Sequence, residues 1–206
     1  MTTLVIPFAG IDGKTRLHAS SRVRREVSLA MLGDVLAAAR GVGDIRLVTE
    51  DDAGAALGRE VGADIVSDPG GGQGEAVQAA LQGLEPGAIV IANADLPCVL
   101  PDDFRALLAA TPAGGVTLVE AADGTTNALS VPAPEVFAPL YGADSARRFL
   151  ARARELGLEA VSAAIPIDQL SSSRRMPSLP RASRSAPPVD RSADATRDRT
   201  PPSSPG

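Results

Sequence analysis

Short apolar runs alternate along this chain with longer stretches in which apolar residues recur every three or four positions. Runs rich in Val, Ile, Leu and Ala at 3–8, 45–49, 64–67, 88–92, 116–120 and 127–131 predict strands. Most lack the in–out alternation of a strand with one wet face, so they belong in a sheet covered on both sides. Periodic stretches at 22–40, 53–61, 75–84, 101–110 and 146–156 predict helices. Pro101 opens one of these and Gly157 follows the last, each at the helix boundary its backbone suits. Strands followed by helices describe an α/β fold: three layers around a mostly parallel sheet. Right-handed crossovers then place ligands beyond the carboxyl ends of the strands. Chemistry is therefore expected just after Phe8, Thr49, Ser67, Ala92 and Glu120.

Composition narrows that chemistry. The 206 residues include one His (His18) and one Cys (Cys98). This excludes an internal disulfide and any zinc site built from several His or Cys, and leaves His18 as the only base for a Ser–His–Asp site. Cys98 reads as a packing residue. No apolar run reaches the roughly 18 residues of a membrane span, and no leader precedes the first strand. A cytoplasmic protein with no membrane partner is expected. Charge is divided unevenly: 1–170 hold 13 Lys and Arg against 22 Asp and Glu, whereas 171–206 hold seven Arg against three Asp. An acidic body argues against nucleic acid as a partner. The last 36 residues carry nine Ser and seven Pro, too little apolar surface to offset backbone ordering, and predict a disordered tail over 171–206. The strand–helix pattern breaks off near Leu170, where one more strand and helix would be expected.

The segments after the strands carry the candidate residues. Beyond the first strand come Gly10, Gly13, Lys14 and Arg16. A compact ammonium and a two-pronged guanidinium two residues apart suit a polyphosphate, although a solvated surface turn has the same composition. The spacing matches neither the Walker loop nor the dinucleotide fingerprint. Of 20 basic residues, Lys14 is the single lysine. Beyond the third strand, Gly70, Gly71, Gly72 and Gly74 surround Gln73, which suits a planar base lying against the backbone or, alternatively, a flexible connector. Beyond the fourth, Asp95 stands in a Leu-Pro turn at the end of a buried strand. That position suits a Mg²⁺ ligand, since Mg²⁺ takes one or two carboxylates and fills its shell with water and phosphate; a helix cap or turn Asp is the alternative. Thr126, Gly142 and Ser145 stand at loop or helix-start positions able to bind a small anion, with Ser145 equally a helix N-cap.

In order and spacing, P-F-x(5)-K-T-R-L from Pro7, M-L-x-D-V-L at 31–36, A-D-L-P at 94–97, T-N-A-L at 126–129 and G-x-x-S at 142–145 resemble one family. It is the guanylyltransferase family of deazaflavin coenzyme F(420) biosynthesis, acting on 2-phospho-L-lactate or phosphoenolpyruvate. The resemblance covers about residues 3–165. It implies a nucleotide-diphospho-sugar-transferase-like, Rossmann-like domain over 1–170 that moves GMP from GTP to a phosphorylated three-carbon acid and releases pyrophosphate. By the same resemblance Pro7, Lys14, Arg16, Gly72, Gln73, Gly74 and Asp95 would hold GTP, with Lys14, Arg16 and Asp95 catalytic. Asp95 and Asp168 would bind Mg²⁺, and Thr126, Gly142 and Ser145 the acid. A homodimer is compatible with it. The chain departs from the family pattern at Gln73-Gly74, where Leu-Asn is usual, and at Phe149, where His is usual. It departs again at Ile167-Asp168-Gln169, where the family has an Asp-rich ending. The alternatives are a molybdenum-cofactor or sugar-phosphate nucleotidyltransferase of the same fold, or a catalytically inactive nucleotide-binding relative. The former usually open on a longer glycine-rich signature, whereas this first strand ends in Pro7-Phe8.

Overall fold

The computed structural model describes residues 1–10 and 20–167. Lys14, Arg16, His18, Asp168 and the tail expected at 171–206 lie outside the described residues. In chain order the elements are β1 (Thr2–Pro7), α1 (Ser21–Arg40), β2 (Asp44–Val48), α2 (Asp52–Glu60), β3 (Asp64–Val66), α3 (Gln73–Leu81), β4 (Ala88–Ala92), α4 (Pro101–Ala110), β5 (Val116–Glu120), β6 (Thr126–Val131), α5 (Ser145–Glu155) and β7 (Ala160–Ser162). Every strand and helix expected from the hydrophobic pattern is present. Two short elements were not anticipated: β7 and a 3-10 turn at Pro134–Val136.

One sheet holds all seven strands in the order β3-β2-β1-β4-β6-β5-β7. β1 pairs in parallel with β2 and β4, and β2 with β3. β6 runs antiparallel to both β4 and β5, which qualifies the mostly parallel sheet expected from the strand–helix alternation. The cause is the connection. Only 121–125 link β5 to β6, and a parallel crossover needs a dozen residues or more. That link closes as a turn, with the Ala121 amide donating to the Thr125 carbonyl at 2.8 Å.

Both faces of the sheet are covered. Leu4, Ile6, Leu47, Val90 and Phe104 belong to a core on the side of α1 and α4, while Val5, Val48, Ile89, Ile91 and Phe149 belong to one on the side of α3 and α5. Successive residues of β1 thus point into two different cores, which is why its sequence shows no polar alternation. None of the described helices is long and apolar enough to cross a membrane.

Helix α2 lies unusually close to the sheet. Asp51 caps it, its Oδ1 accepting from the Gly54 amide at 2.9 Å. A Cβ on Gly54 would stand 2.7 Å from the Phe8 ring. Phe8 is itself buried in the core, so admitting that Cβ requires its ring to shift. Gly54→Ala should therefore lower the melting temperature, although alanine is the better helix former. Overpacking costs about 1–3 kcal/mol, against about 1 kcal/mol gained in helix propensity. Thermal unfolding of the variant checks this.

Candidate active site

The chain leaves the β1–β4 pair in opposite directions, with β2 and β3 on one side and β6, β5 and β7 on the other. Strand order therefore reverses between β1 and β4. At such a point no crossover helix fills the space above the strand ends, and a crevice opens. Here it is a cleft of about 510 Å³ lined by residues 7–10 at the end of β1 and just past it, by Ser28 of α1, by Asp68, Gly70, Gly72, Gln73 and Ala76 around the start of α3, and by residues 93–95 after β4.

The wall on the α3 side is a glycine turn. Gly70, Gly71 and Gly72 have φ of +79°, +82° and +100°, a backbone region that L side chains rarely enter. Around Gly70 and Gly72 a Cβ would meet nothing within 4 Å, so conformation rather than crowding demands glycine at those two positions. Asp68 braces the turn, its Oδ1 accepting from the Gly70 amide at 2.9 Å. Helix α3 begins at Gln73, two residues earlier than the hydrophobic pattern indicates, so Gln73 and Gly74 form its first turn. Gly74 does not line the cleft; a Cβ there would stand 2.5 Å from Pro139 Cβ, and close packing accounts for the glycine.

Gln73 is held from across the cleft floor. Its Nε2 donates to Asn93 Oδ1 at 2.7 Å, and Asn93 Nδ2 donates to the Thr126 carbonyl at 3.0 Å. Because that carbonyl can only accept, it sets the orientation of the Asn93 amide, which in turn makes Gln73 the donor. Asn93 is thus a rigid link from the glycine turn to β6.

Asp95 is exposed in the turn after β4 and lines the cleft. It does not cap α4, so of the two alternatives its position left open the helix cap is excluded, while its place in a turn stands. The α4 start is served by Asp103, whose Oδ2 accepts from the Leu100 amide at 2.8 Å. Cys98, half-buried and in a left-handed conformation (φ +66°), lies in the same connection.

Thr126, Gly142 and Ser145 come together behind Asn93 and are not themselves part of the cleft lining. Ser145 is the first residue of α5 rather than its cap. The Thr126 and Ser145 hydroxyls lie 3.1 Å apart and are buried, and the Ser145 amide donates to the Gly142 carbonyl at 3.1 Å. The backbone of Thr126 reaches the cleft through Asn93. Phe149 is buried in an aromatic cluster, its ring 5.3 Å from Tyr141 and 6.0 Å from Phe137.

Burial pushes the Tyr141 phenol up from its usual range. Since Tyr141 is the only tyrosine in the chain, its ultraviolet tyrosinate band reports it alone. The titration midpoint should lie above the ordinary value of about 10. The unfolded phenol ionises first, so stability should fall as pH rises past about 10, and Tyr141→Phe should remove that part of the fall in melting temperature.

The described donors suit a hard cation in only one way. Asp95 and Asp68 face the cleft, yet no cluster of three or more His, Cys, Asp or Glu exists among the described residues. A cation shared between one or two carboxylates and the oxygens of a bound phosphate fits this set; one caged by protein alone does not.

Among protein families, that of guanylyl transferases described as CofC like matches residues 2–164. The chain belongs to this family. It is thereby a nucleotidyltransferase of the guanylyltransferase kind. CofC-like relatives include the phosphoenolpyruvate guanylyltransferase of Streptomyces coelicolor, 39% identical over 175 residues, covering 77% of this chain and 81% of the relative. That of Roseiflexus castenholzii is 37% identical over 161 residues, covering 73% and 75%. The fold is that of a nucleotide-diphospho-sugar transferase structure from Desulfovibrio desulfuricans, at a TM-score of 0.63 and 16% identity over 79% of each chain. This agrees with the three-layer architecture expected from the sequence.

Of the residues expected to hold nucleotide, the cleft gathers Pro7, Gly72, Gln73 and Asp95. Sequence reasoning passed over Phe8, Ser28, Asp68 and Asn93. Asn93 carried a usable signal, because it follows a buried strand directly. Ser28, in mid-helix, carried none.

Proposed function

We propose that this CofC-like protein transfers GMP from GTP to phosphoenolpyruvate or 2-phospho-L-lactate and releases pyrophosphate, a step in coenzyme F(420) biosynthesis. The observation that carries the reading is the convergence, at the β1–β4 reversal, of the glycine turn, the Gln73–Asn93 pair and the Asp95 carboxylate on one cleft.

Each part has a chemical task. The glycine turn lets a planar base lie against bare backbone. With its nitrogen bonded to Asn93, Gln73 keeps Oε1 as an acceptor for guanine, whose exocyclic amine is a donor that adenine lacks on that edge. In the transfer, an oxygen of the acid's phosphate attacks the α-phosphorus of GTP, the α–β anhydride bond breaks, and pyrophosphate leaves. That nucleophile is already ionised at neutral pH, so no protein base is required. Positioning and neutralisation of charge remain for the protein to supply. Asp95 would hold Mg²⁺, which when bound neutralises charge on the phosphates. Asp168, read as its second carboxylate, lies outside the described residues.

Lys14 and Arg16 are read as the cations for the triphosphate. Gly10, four residues before Lys14 in sequence, lines the cleft; Lys14 and Arg16 themselves lie outside the described residues. Thr126, Gly142 and Ser145 are read as the acid site. The Thr126 and Ser145 hydroxyls bond each other, so an incoming phosphate would replace that bond, and Asn93 would transmit the change to Gln73.

The test is pyrophosphate release by the full chain with GTP, Mg²⁺ and each acid in turn, with the diphosphate diester identified by mass. Release that needs both GTP and acid supports the reading. GTP binding without turnover on either acid sinks it in favour of an inactive relative.

A further inference from the structure

Ser28 is the one buried side-chain polar atom among the described residues with no hydrogen-bond partner. The residue is 3% exposed, on the third turn of α1, and it lines the cleft. A helical serine would ordinarily bond back to the carbonyl four residues earlier, and here it does not. Buried polar groups are almost always satisfied, so an orphan at the wall of a binding cleft is an unfilled contact. No other hydroxyl side chain lines the cleft among the described residues.

We infer that the Ser28 hydroxyl donates a hydrogen bond to a phosphate oxygen of the bound nucleotide, making Ser28 a binding residue of the triphosphate subsite. This rests on the guanylyltransferase reading and adds a contact to it. The two faces of the sheet decide which end of the nucleotide it meets. Gly72 and Gln73 lie at the start of α3, which packs in the core on one face, and they are the surface suited to the base. Helix α1 packs in the core on the opposite face, together with Ala94, the neighbour of Asp95. Ser28 and the stretch of chain that carries Asp95 thus both adjoin the face opposite the base surface, and phosphate is the part of the nucleotide that a hydroxyl there would meet. A hydroxyl offers phosphate a donor without adding charge.

Binding of GTP with Mg²⁺, and of guanosine, should be measured by calorimetry on the full wild-type chain and on Ser28→Ala, with the melting temperature of each ligand-free protein. Removing an unpartnered hydroxyl from a helix should leave the ligand-free melting temperature unchanged or raise it. GTP affinity should fall roughly ten-fold or more, the scale of one hydrogen bond to a charged group, while guanosine affinity stays the same. Equal GTP affinity in the two proteins overturns the inference and leaves the function standing, since Ser28 is then a packing residue. A fall of the same size for guanosine overturns it too, because the contact is then not to phosphate. Wild-type protein that binds no GTP at all overturns the guanylyltransferase reading, and this contact with it.

Discussion

Asp95→Asn should lower kcat/KM for pyrophosphate release from GTP by about 10²-fold or more while leaving the melting temperature nearly unchanged. The substitution keeps the shape of the side chain and removes its negative charge. Asp95 is exposed in a turn, outside both cores, where even a partnered carboxylate contributes little to folding. Catalysis depends on it far more. Charge stabilisation by a bound cation is worth several kcal/mol at a phosphoryl centre, and each 1.4 kcal/mol or so is a factor of ten in rate. If the carboxylate holds the cation, raising Mg²⁺ should restore part of the lost rate. Steady-state kinetics across a Mg²⁺ series read both effects. A variant with near-normal turnover would remove Asp95 from the mechanism.

Lys14→Ala should cost at least about 10²-fold in turnover, the scale of losing one donor aimed at developing negative charge. The argument is electrostatic. Residues 1–170 hold 13 basic against 22 acidic side chains, so a polyanion approaching this body meets a repulsive average. Local cations must reverse that. In the described part of the cleft the charged side chains are Asp68 and Asp95, both acidic. Positive charge must therefore come from outside the described lining, and Lys14 and Arg16 follow Gly10 within six residues. The loss should appear chiefly in kcat if the ammonium meets the leaving pyrophosphate, and in KM if it only holds the ground state. Because Lys14 and Asp95 would act on the same phosphates, the double variant should lose less than the product of the single losses. Independent, multiplying losses would mean that the two residues serve different ligands.

The two readings were legible to different depths. The place of Asp95 at the cleft was legible from sequence because a buried strand, an acidic residue and a Leu-Pro turn follow one another closely. The place of Gln73 at the cleft was legible because glycines mark a backbone turn wherever they cluster. Gly74 is less legible: it is not in the cleft lining, and a glycine accounted for by the close approach of Pro139 looks, in sequence, like one required by a ligand. Thr126 and Ser145 share the difficulty. Their types suit an anion, and only the folded chain reveals that their hydroxyls are buried against each other.

By itself, the amino-acid order determined the number and place of the main strands and helices, the double-sided burial of the sheet and the loops in which chemistry would lie. These are local properties: whether a residue is apolar and what its near neighbours are decides which surface its element must hide. The tertiary structure alone decided the addition of β7 beside β5, the Gln73–Asn93–Thr126 link and the orphaned hydroxyl of Ser28 inside the cleft. Those join groups tens of residues apart. Their meeting is set by how two packed faces close on one sheet, which no short window of sequence contains.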